Sequence, residues 1–269
     1  MALYTRLNQY TPTTTNRDEY YTTLEEVEYI FNNIQEDFTN KIIYCPFDTE
    51  KSAFVQYIKA NKSKLKYKDF WYTSDDWYNH KDLIQKADYI ISNPPFSQLM
   101  IHKPEKDGIL ENVKNKKFFL FGHLITVVGY IAKFYPNVTV FKSRPPFKFR
   151  YIDGTYKNVG ACIYITNLQT SLPMRRLELT KTTEQLKNEN KFIIANNKVG
   201  QEGLFISRLK DMPIDYYDYM WVPLSFVLND EISNYEFDGE FIKNSAKTTY
   251  RMLNIKSFQK LRVKRKPNL

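Results

Sequence analysis

The sequence predicts an α/β fold, in which a mostly parallel sheet carries helices on both faces and a smaller second region follows. Short apolar runs alternate with segments of helical periodicity over the first two thirds of the chain, a pattern typical of parallel sheets. The chain has 269 residues, enough to bury a substantial core without disulfides or metals. Hydrophobic residues make up 42% and charged residues 26%, which excludes fibrous and wholly disordered classes.

The individual elements are predicted from periodicity and from capping residues. A first helix from Thr23 to about Phe38 carries apolar residues at helical spacing and two glutamates in its first turn. Asp48 or Thr49 is expected to cap the next helix. Further helices are expected at Lys81–Ala87 and His123–Phe134, and strands at Lys41–Cys45, Lys68–Thr73, Asp88–Ser92, Lys117–Phe121, Val138–Lys142 and Ala161–Thr166.

A composition shift near Asn167 to Arg176 predicts a domain boundary. Beyond it the periodicity weakens, aromatic and polar residues mix, and the segment KSFQKLRVKRKP is strongly basic. We therefore expect three parts: a lead-in at residues 1–22, a core at residues 23–168 and a second region at residues 169–269.

Charge and cysteine content limit the classes of partner and compartment. The net charge of +9 favours a polyanionic partner or an anionic membrane surface. The apolar stretch Phe118–Ala132 is too short to span a bilayer, and the polar N-terminal segment lacks the apolar core of a secretory signal. We therefore expect a cytoplasmic protein. Two distant cysteines and three histidines indicate neither a disulfide framework nor a metal site.

The segment DYIISNPPF at Asp88–Phe96 carries the clearest chemical signal. An apolar strand ends in Asn93, Pro94, Pro95 and Phe96, at the edge where open α/β sheets bind ligands. The prolines fix φ and remove two backbone donors, so the loop presents a carboxamide, carbonyl oxygens and an aromatic face. The alternative is that the prolines only end the strand and Phe96 packs in the core.

This set of groups suits the methylation of a planar amino group. If the Asn93 side-chain oxygen and the Pro94 carbonyl accept its two hydrogens, the nitrogen can pyramidalise and direct its lone pair at an electrophilic methyl group. Phe96 would stack on the ring and fix its plane. The nitrogen loses its proton only after transfer, so positioning rather than a general base would supply the rate.

Four motifs, taken in order, make the sequence resemble a known family. They are Asp18–Thr22 (DEYYT), Tyr44–Asp48 (YCPFD), Asn93–Phe96 (NPPF) and Thr166–Leu168 (TNL). A weaker match lies at Met220–Phe226. The series is similar to that of the EcoRI-type adenine-specific DNA methyltransferases, in which NPPF is the catalytic signature. The resemblance implies a Rossmann-like class I methyltransferase sheet and a C-terminal target-recognition region. It also implies S-adenosylmethionine as methyl donor, N6-methyladenine as product, and a bacterial or phage-infected cell.

The resemblance also implies a set of cofactor contacts. Tyr21 and Thr22 would sit over the methionine end of the cofactor, and Asn93 would line its pocket. The floor of the pocket would be formed by Cys45, Pro46, Phe47 and Asp48. The glycine-rich turn that is usual after the first strand of methyltransferases is absent here.

Acidic and histidine side chains near the predicted edge are further candidates. Asp75 and Asp76 follow a strand, where a carboxylate can bind ribose hydroxyls or the exocyclic amine of the cofactor. An exposed acidic turn is the alternative. His80 and His123 can line the pocket or be ordinary packed or solvated residues.

Basic residues are candidates for contacts with double-stranded DNA. Arg144, Lys148 and Arg150 lie in a predicted hairpin, where they contact phosphates or form an ordinary solvated face. The basic tail, including Lys264 and Arg265, either adds non-specific electrostatic affinity or is a frayed, solvated terminus.

Three functions fit these observations. The first is a DNA adenine-N6 methyltransferase acting on a flipped adenine, because N6 cannot be reached inside the stacked duplex. The second is an amino-methyltransferase acting on an RNA base or a protein glutamine. The third is a catalytically idle nucleic-acid-binding module of the same fold, against which the intact NPPF argues. Double-stranded DNA is the expected partner, and the resemblance makes a cognate restriction endonuclease a second candidate.

Overall fold

The computed structural model describes most of the chain between residues 22 and 267. The described residues are 22–95, 98–99, 101–103, 106–124, 127, 130–131, 134, 137–142, 148–150, 156–158, 162–196, 200–242 and 260–267. Within them, no helix is long and apolar enough to cross a bilayer.

Helices and strands alternate through the first part of this range. The helices are Leu24–Asn33 (α1), Ala53–Ala60 (α2), Lys62–Leu65 (α3), Lys81–Lys86 (α4), Ile109–Val113 (α5) and Thr183–Asn188 (α6). The strands before residue 170 are Ile42–Pro46 (β1), Asp69–Thr73 (β2), Tyr89–Ser92 (β3), Ile101–Lys103 (β4), Lys106–Asp107 (β5), Lys117–His123 (β6), Thr139–Lys142 (β7), Lys148–Arg150 (β8), Tyr156–Asn158 (β9) and Cys162–Thr166 (β10). The later strands are Ile194–Asn196 (β11), Glu202–Phe205 (β12), Tyr219–Pro223 (β13), Tyr235–Ile242 (β14) and Lys260–Arg265 (β15). Single 3₁₀ turns are Trp77–His80, Leu209–Asp211, Leu224–Leu228 and Asp230–Asn234.

The first sheet has six strands in the order β2-β1-β3-β6-β10-β7. β1 pairs in parallel with β2 and β3, β3 pairs in parallel with β6, and β10 runs antiparallel to β6. β3 and β10 are buried at every residue, so both faces of the sheet are covered there. The predicted mixed α/β architecture with a mostly parallel sheet is therefore confirmed.

Helix α1 is shorter than predicted because its end pairs with a distant segment. At Ile34 the backbone becomes extended, with ψ at 128°, and Ile34 forms a β-bridge with Thr170. The next amide, Gln35 N–H, donates to Gln169 O over 2.8 Å. These pairings use backbone groups that a longer helix would need. The predicted extension to Phe38 is therefore wrong.

Helix α2 begins at Ala53, later than the predicted caps allow. Ser52 is its N-cap residue. Thr49 donates its N–H to Ser52 Oγ over 2.8 Å, and Asp48 is buried beside β3. The prediction that Asp48 or Thr49 caps this helix is wrong, because both residues belong to the loop that leaves β1.

Strand β6 is longer than predicted and takes in the start of the expected helix. His123, predicted as the first helical residue, pairs with Cys162 across the antiparallel ladder. The described residues between 124 and 134 are helical. Cys45 and Cys162 are both buried, and neither forms a disulfide.

The Thr166-Asn167-Leu168 motif fastens β10 to the start of β6. Thr166 Oγ1 donates to Phe118 O over 2.6 Å. The Asn167 side chain accepts from Phe118 N–H at 2.8 Å and donates to Lys116 O at 2.7 Å. These contacts lie at the amino-terminal end of β6, on the edge opposite NPPF. The motif therefore acts as a structural clamp.

The basic segment Lys260–Arg265 is an interior strand of a second sheet. This sheet has the order β11-β12-β13-β15-β14, and β15 runs antiparallel to both neighbours. Leu261 and Val263 are fully buried in it. A frayed terminus is therefore wrong for these residues, because both of their ladder edges are paired.

Lys260, the first residue of β15, is a buried cation. It is 2% exposed, its Nζ donates to Ile206 O, and Nζ lies 4.7 Å from the centroid of the Phe205 ring. Burial lowers the pKa of Lys260 to about 8. The charge of Lys260 is thus enclosed by the fold rather than presented to solvent.

The described chain divides into two compact units. One comprises the described residues up to 126 together with 142–172, and the other comprises those within 127–141 and from 173 onward. The limits expected from composition, at 1–22, 23–168 and 169–269, stay a prediction.

Candidate active site

The strand order of the first sheet reverses at β1. From β1 the chain goes to β2 on one side and then to β3 on the other. Such a reversal leaves a crevice at the carboxyl ends of the two central strands, where open α/β sheets bind ligands. Pro46 ends β1 in register with Thr73 of β2, and Ser92 ends β3. The loops that follow these three residues therefore share one edge.

The predicted catalytic loop leaves β3 at this edge. Asn93 is partly buried, Pro94 is buried and Pro95 is partly buried. The Pro95 carbonyl accepts Gln98 N–H over 2.9 Å, which turns the chain back. Among the described residues, no hydrogen bond to the Pro94 carbonyl is found. Phe96 lies outside the described residues.

The loop after β1 bends without glycine. Phe47 has φ at +67°, the left-handed region that glycine adopts without strain. The bend expected of a glycine-rich turn is thus made by a partly buried phenylalanine. Cys45, just before it, is fully buried, and burial raises the pKa of its thiol well above the usual value. The Cys45 side chain faces the core.

Asp48 is a carboxyl group enclosed by protein. It is 6% exposed, and its Oδ2 lies 3.0 Å from Ser92 Oγ at the end of β3. Ser92 Oγ also donates to Pro46 O. Burial raises the pKa of Asp48 to about 7, against the opposing effect of hydrogen bonds from Ser52 and Ser92. The β1 loop and the catalytic loop are thus joined through side chains.

Asp75 and Asp76, predicted as a pair, make different contacts. The Asp75 carboxylate lies 2.7 and 2.8 Å from His80 Nε2, and this hydrogen bond lowers the pKa of Asp75. Asp76 is the N-cap residue of the following 3₁₀ turn, and its Oδ1 accepts Tyr78 N–H over 3.0 Å. Asp75 is the more exposed carboxylate, whereas Asp76 has a capping role.

A second ionised carboxylate lies near the ends of β1 and β2. Glu50 accepts from Lys59 Nζ at 2.6 Å and from the Tyr72 hydroxyl, and these bonds lower the pKa of Glu50. Glu50 and Asp75 therefore carry negative charge at neutral pH. Lys59 balances the charge of Glu50, so Glu50 adds no net negative charge to this edge. Asp75 has an exposed carboxylate, and its oxygens can accept hydrogen bonds from the ribose hydroxyls or the exocyclic amine of S-adenosylmethionine.

The N-terminal candidates are described only in part. Thr22 precedes Thr23, the N-cap residue of α1. Thr22 Oγ1 is buried and has no hydrogen-bond partner among the described residues. A buried polar atom of this kind can take a bond from a ligand. Tyr21 lies outside the described residues.

The structure shows the backbone of the predicted basic hairpin. β8, which contains Lys148 and Arg150, pairs antiparallel with β9. Arg144 lies outside the described residues.

Two of the predicted nucleic-acid contacts lie in the second unit. Lys264 Nζ is 5.4 Å from the centroid of the Tyr219 ring. A surface cavity is lined by Tyr217, Lys264, Arg265 and Pro267. Tyr217 is 45% exposed and lines this cavity with two cations, of which Arg265 also donates from Nη1 to Ile214 O. This combination suits a phosphate next to a base or sugar.

Two polar residues at the switch point are not among the candidates that the sequence suggests. Ser92 Oγ lies 3.0 Å from Asp48 Oδ2, and Ser52 Oγ accepts Thr49 N–H. The signal for Ser92 is a hydroxyl at the end of an otherwise apolar strand, DYIIS. Within the described residues, no cluster of three or more His, Cys, Asp or Glu side chains could hold a metal ion.

Comparison with known proteins finds two related methyltransferases. The chain is 23% identical to Type II methyltransferase M.EcoRI of Escherichia coli over 278 residues, covering 78% of this chain and 82% of that protein. It is 22% identical to Type II methyltransferase M.MgeORF184P of Mycoplasma genitalium over 268 residues, covering 78% of each chain. No family model matches the chain. The two relatives confirm the resemblance that the sequence motifs indicate.

Proposed function

The chain is a relative of the EcoRI-type methyltransferases, and on that premise we propose that it is a site-specific DNA adenine-N6 methyltransferase. One observation carries the proposal. The buried strand β3 delivers Asn93, Pro94 and Pro95 to the carboxyl edge of the sheet, beside the β1 loop at the switch point. An exposed or misplaced NPPF segment would have no access to a cofactor bound at that edge.

Asn93 and Pro94 would hold the amino group of the target adenine. The Asn93 side-chain oxygen and the Pro94 carbonyl accept the two N6 hydrogens, which lets the nitrogen pyramidalise. Phe96 stacks on the ring. No group in this arrangement needs to remove a proton before transfer, so rate comes from alignment of dipoles and from positioning.

S-adenosylmethionine would supply the electrophilic methyl group when bound. The backbone of the Cys45–Asp48 loop, with its bend at Phe47, would form the floor of its site. Asp75 would bind ribose hydroxyls or the exocyclic amine, and Asp76 would hold the turn in place. Tyr21, Thr22 and Asn93 would complete the site near the methionine end.

Duplex DNA would dock on basic surface, and the adenine would be flipped out of the stack to reach Asn93. The net charge of +9 supports a polyanionic partner. Lys264 and Arg265 would contact phosphate or sugar beside Tyr217, and Arg144, Lys148 and Arg150 would add further contacts. A C-terminal target-recognition region, a cognate restriction endonuclease and a cytoplasmic location belong to the same proposal.

The test uses S-adenosylmethionine with a labelled methyl group and fully unmethylated genomic DNA. After digestion, we expect label in N6-methyladenine. Asn93→Ala should abolish transfer and leave cofactor affinity within a few-fold, because the side chain acts on the amine. Label in RNA or in protein glutamine, with none in DNA, would move the assignment to those substrates. Cofactor binding without any transfer would indicate an idle module.

A further inference from the structure

A chain of polar groups is enclosed where the β1 loop meets the catalytic loop. Thr49 follows Asp48 in the chain, and its N–H donates to Ser52 Oγ over 2.8 Å. Asp48 Oδ2 lies 3.0 Å from Ser92 Oγ, which also contacts Pro46 O. Asp48 is 6% exposed and Ser92 is fully buried.

A count of the protons in this group of polar side chains shows which protonation state of Asp48 gives every contact a donor. Ser92 has one proton and two acceptors within reach, Pro46 O and Asp48 Oδ2. If Asp48 is ionised, one of these contacts has no proton, and two oxygens face each other without a bond. If Asp48 is protonated, it donates to Ser92 Oγ, and Ser92 donates to Pro46 O. Every contact then has one donor.

We infer that Asp48 is a protonated positioning residue that, through Ser92, fixes the start of the Asn93–Pro94 loop against the cofactor loop. The inference rests on the proposed function, and it gives Asp48 a task other than contact with the cofactor through its side chain. Burial favours the same protonation state, since it raises the pKa of Asp48 to about 7.

Ionisation of Asp48 would remove a donor from the chain. Ser92 could then satisfy Pro46 O or the carboxylate but not both, and the two loops would no longer be held in a fixed register. Misplacement of a positioning group by about 1 Å can cost on the order of 100-fold in rate. Among the described residues, the Cys45 thiol is a titratable group that interacts with Asp48, and its pKa is raised well above its usual value. Cys45 therefore stays neutral over the range in which Asp48 ionises.

The kinetic test compares Asp48→Asn with Asp48→Ala, using labelled S-adenosylmethionine and unmethylated DNA. Asparagine keeps a donor towards Ser92, so Asp48→Asn should lose much less of kcat than Asp48→Ala. Above neutral pH, the parent kcat should fall and that of Asp48→Asn should not. Asp48→Ala should reduce kcat by about 100-fold, with the KM for S-adenosylmethionine within a few-fold.

Thr166→Ala is the matched control. It also removes a buried hydroxyl that bonds across two strands, but at the opposite edge of the sheet. It should lower stability and leave kcat and its pH profile unchanged below the unfolding temperature. A pH profile that is the same for the parent and Asp48→Asn would overturn the inference, as would an Asp48→Asn variant as impaired as Asp48→Ala.

A stability measurement separates this inference from the proposed function and needs no substrate. A carboxyl whose folded pKa is raised from 3.8 to about 7 binds its proton more tightly in the folded than in the unfolded state. The folding equilibrium constant should therefore fall by up to about tenfold per pH unit between those two values, and level off above them. Asp48→Asn should lack this pH-dependent fall in the folding equilibrium constant.

If stability depends on pH equally in the parent and in Asp48→Asn, Asp48 is ionised in the folded state and the inference is overturned. A parent protein that shows the slope and methylates no DNA would refute the proposed function alone.

Discussion

Phe47 shows how a single residue can take the place of a glycine-rich turn. Its φ of +67° lies in the region where a side chain costs about 1–2 kcal/mol relative to ordinary backbone. The side chain is partly buried, so packing offsets part of that cost. The result is a sharp bend at the carboxyl end of β1, at the floor of the proposed cofactor site.

A pair of substitutions at Phe47 measures this backbone cost. Phe47→Gly and Phe47→Ala both remove the ring, but only glycine adopts positive φ without strain. We expect the glycine variant to be more stable than the alanine variant by about 1 kcal/mol. Denaturant unfolding of the two variants gives the difference directly. An alanine variant of equal or greater stability would show that φ at this position relaxes once the ring is gone.

For individual residues, the sequence predicts the place in the fold better than it predicts the contacts of the side chain. DYIIS followed by two prolines is sufficient to place Asn93 at the end of a buried strand. The resemblance places Asp48 in the pocket floor, but its carboxyl faces inward because Ser92, 44 residues away in sequence, is there to bond it. Asp75 and Asp76 are adjacent and chemically identical. Only the fold shows that one pairs with His80 and the other caps a turn.

Among the elements, the second sheet depends on close contacts around Trp221. Its indole Nε1 donates to Ala195 O over 3.0 Å, and the ring packs with Phe205. Gly203 on β12 lies against it: an added Cβ would come within 3.0 Å of the indole ring and of Tyr219 O. The absence of a side chain at Gly203 therefore allows β12 and β13 to approach.

Gly203→Ala should destabilise the protein by about 1–3 kcal/mol, because neither a buried indole nor a backbone oxygen can move aside easily. Gly122→Ala on β6 is the comparison. There an added Cβ would meet the tip of Ile165 at 2.6 Å, and a terminal methyl can rotate away. We expect Gly122→Ala to stay within about 1 kcal/mol of the parent. Thermal unfolding of both variants tests this order, and a reversed order would contradict it.

Elements of the first sheet are predictable from local patterns, but β15 is not. Its sequence KLRVKR is basic, and composition alone favours a solvated tail. β15 is buried because it pairs with β13, about 40 residues earlier, and with β14. Local periodicity does not show such pairing between distant segments. The end of α1 fails for the same reason, since Gln35 pairs with Gln169.

Over the whole molecule, some of the basic side chains that produce the net positive charge are bonded within the fold, and others line the surface. Lys260 is enclosed, and Arg262 is bonded to Asp238 and to Glu202 O. Lys264 and Arg265 line a surface cavity, and Arg265 also donates from Nη1 to Ile214 O. Net charge by itself therefore overstates the number of cations that can meet a polyanion. Deleting the basic segment would also remove an interior strand, so neutralising individual charges is the better test.

The double variant Lys264→Gln with Arg265→Gln should flatten the salt dependence of DNA binding. Removing one phosphate contact lowers the slope of log K against log salt by about 0.9, so removing two lowers it by about 1.8. Lys187→Gln with Lys210→Gln removes the same charge from exposed positions of the same unit and should leave the slope nearly unchanged. Equal slopes in both double variants would show that Lys264 and Arg265 do not contact phosphate.

The interior position of β15 also orders events during synthesis. A ribosome makes β13 and β14 before β15, yet in the finished sheet these two strands are separated by β15. They therefore remain without their shared neighbour until residues 260–265 have left the exit tunnel. The same residues include Lys264 and Arg265. A nascent chain thus acquires the proposed phosphate contacts at the moment its second sheet closes, and an incompletely synthesised chain has neither.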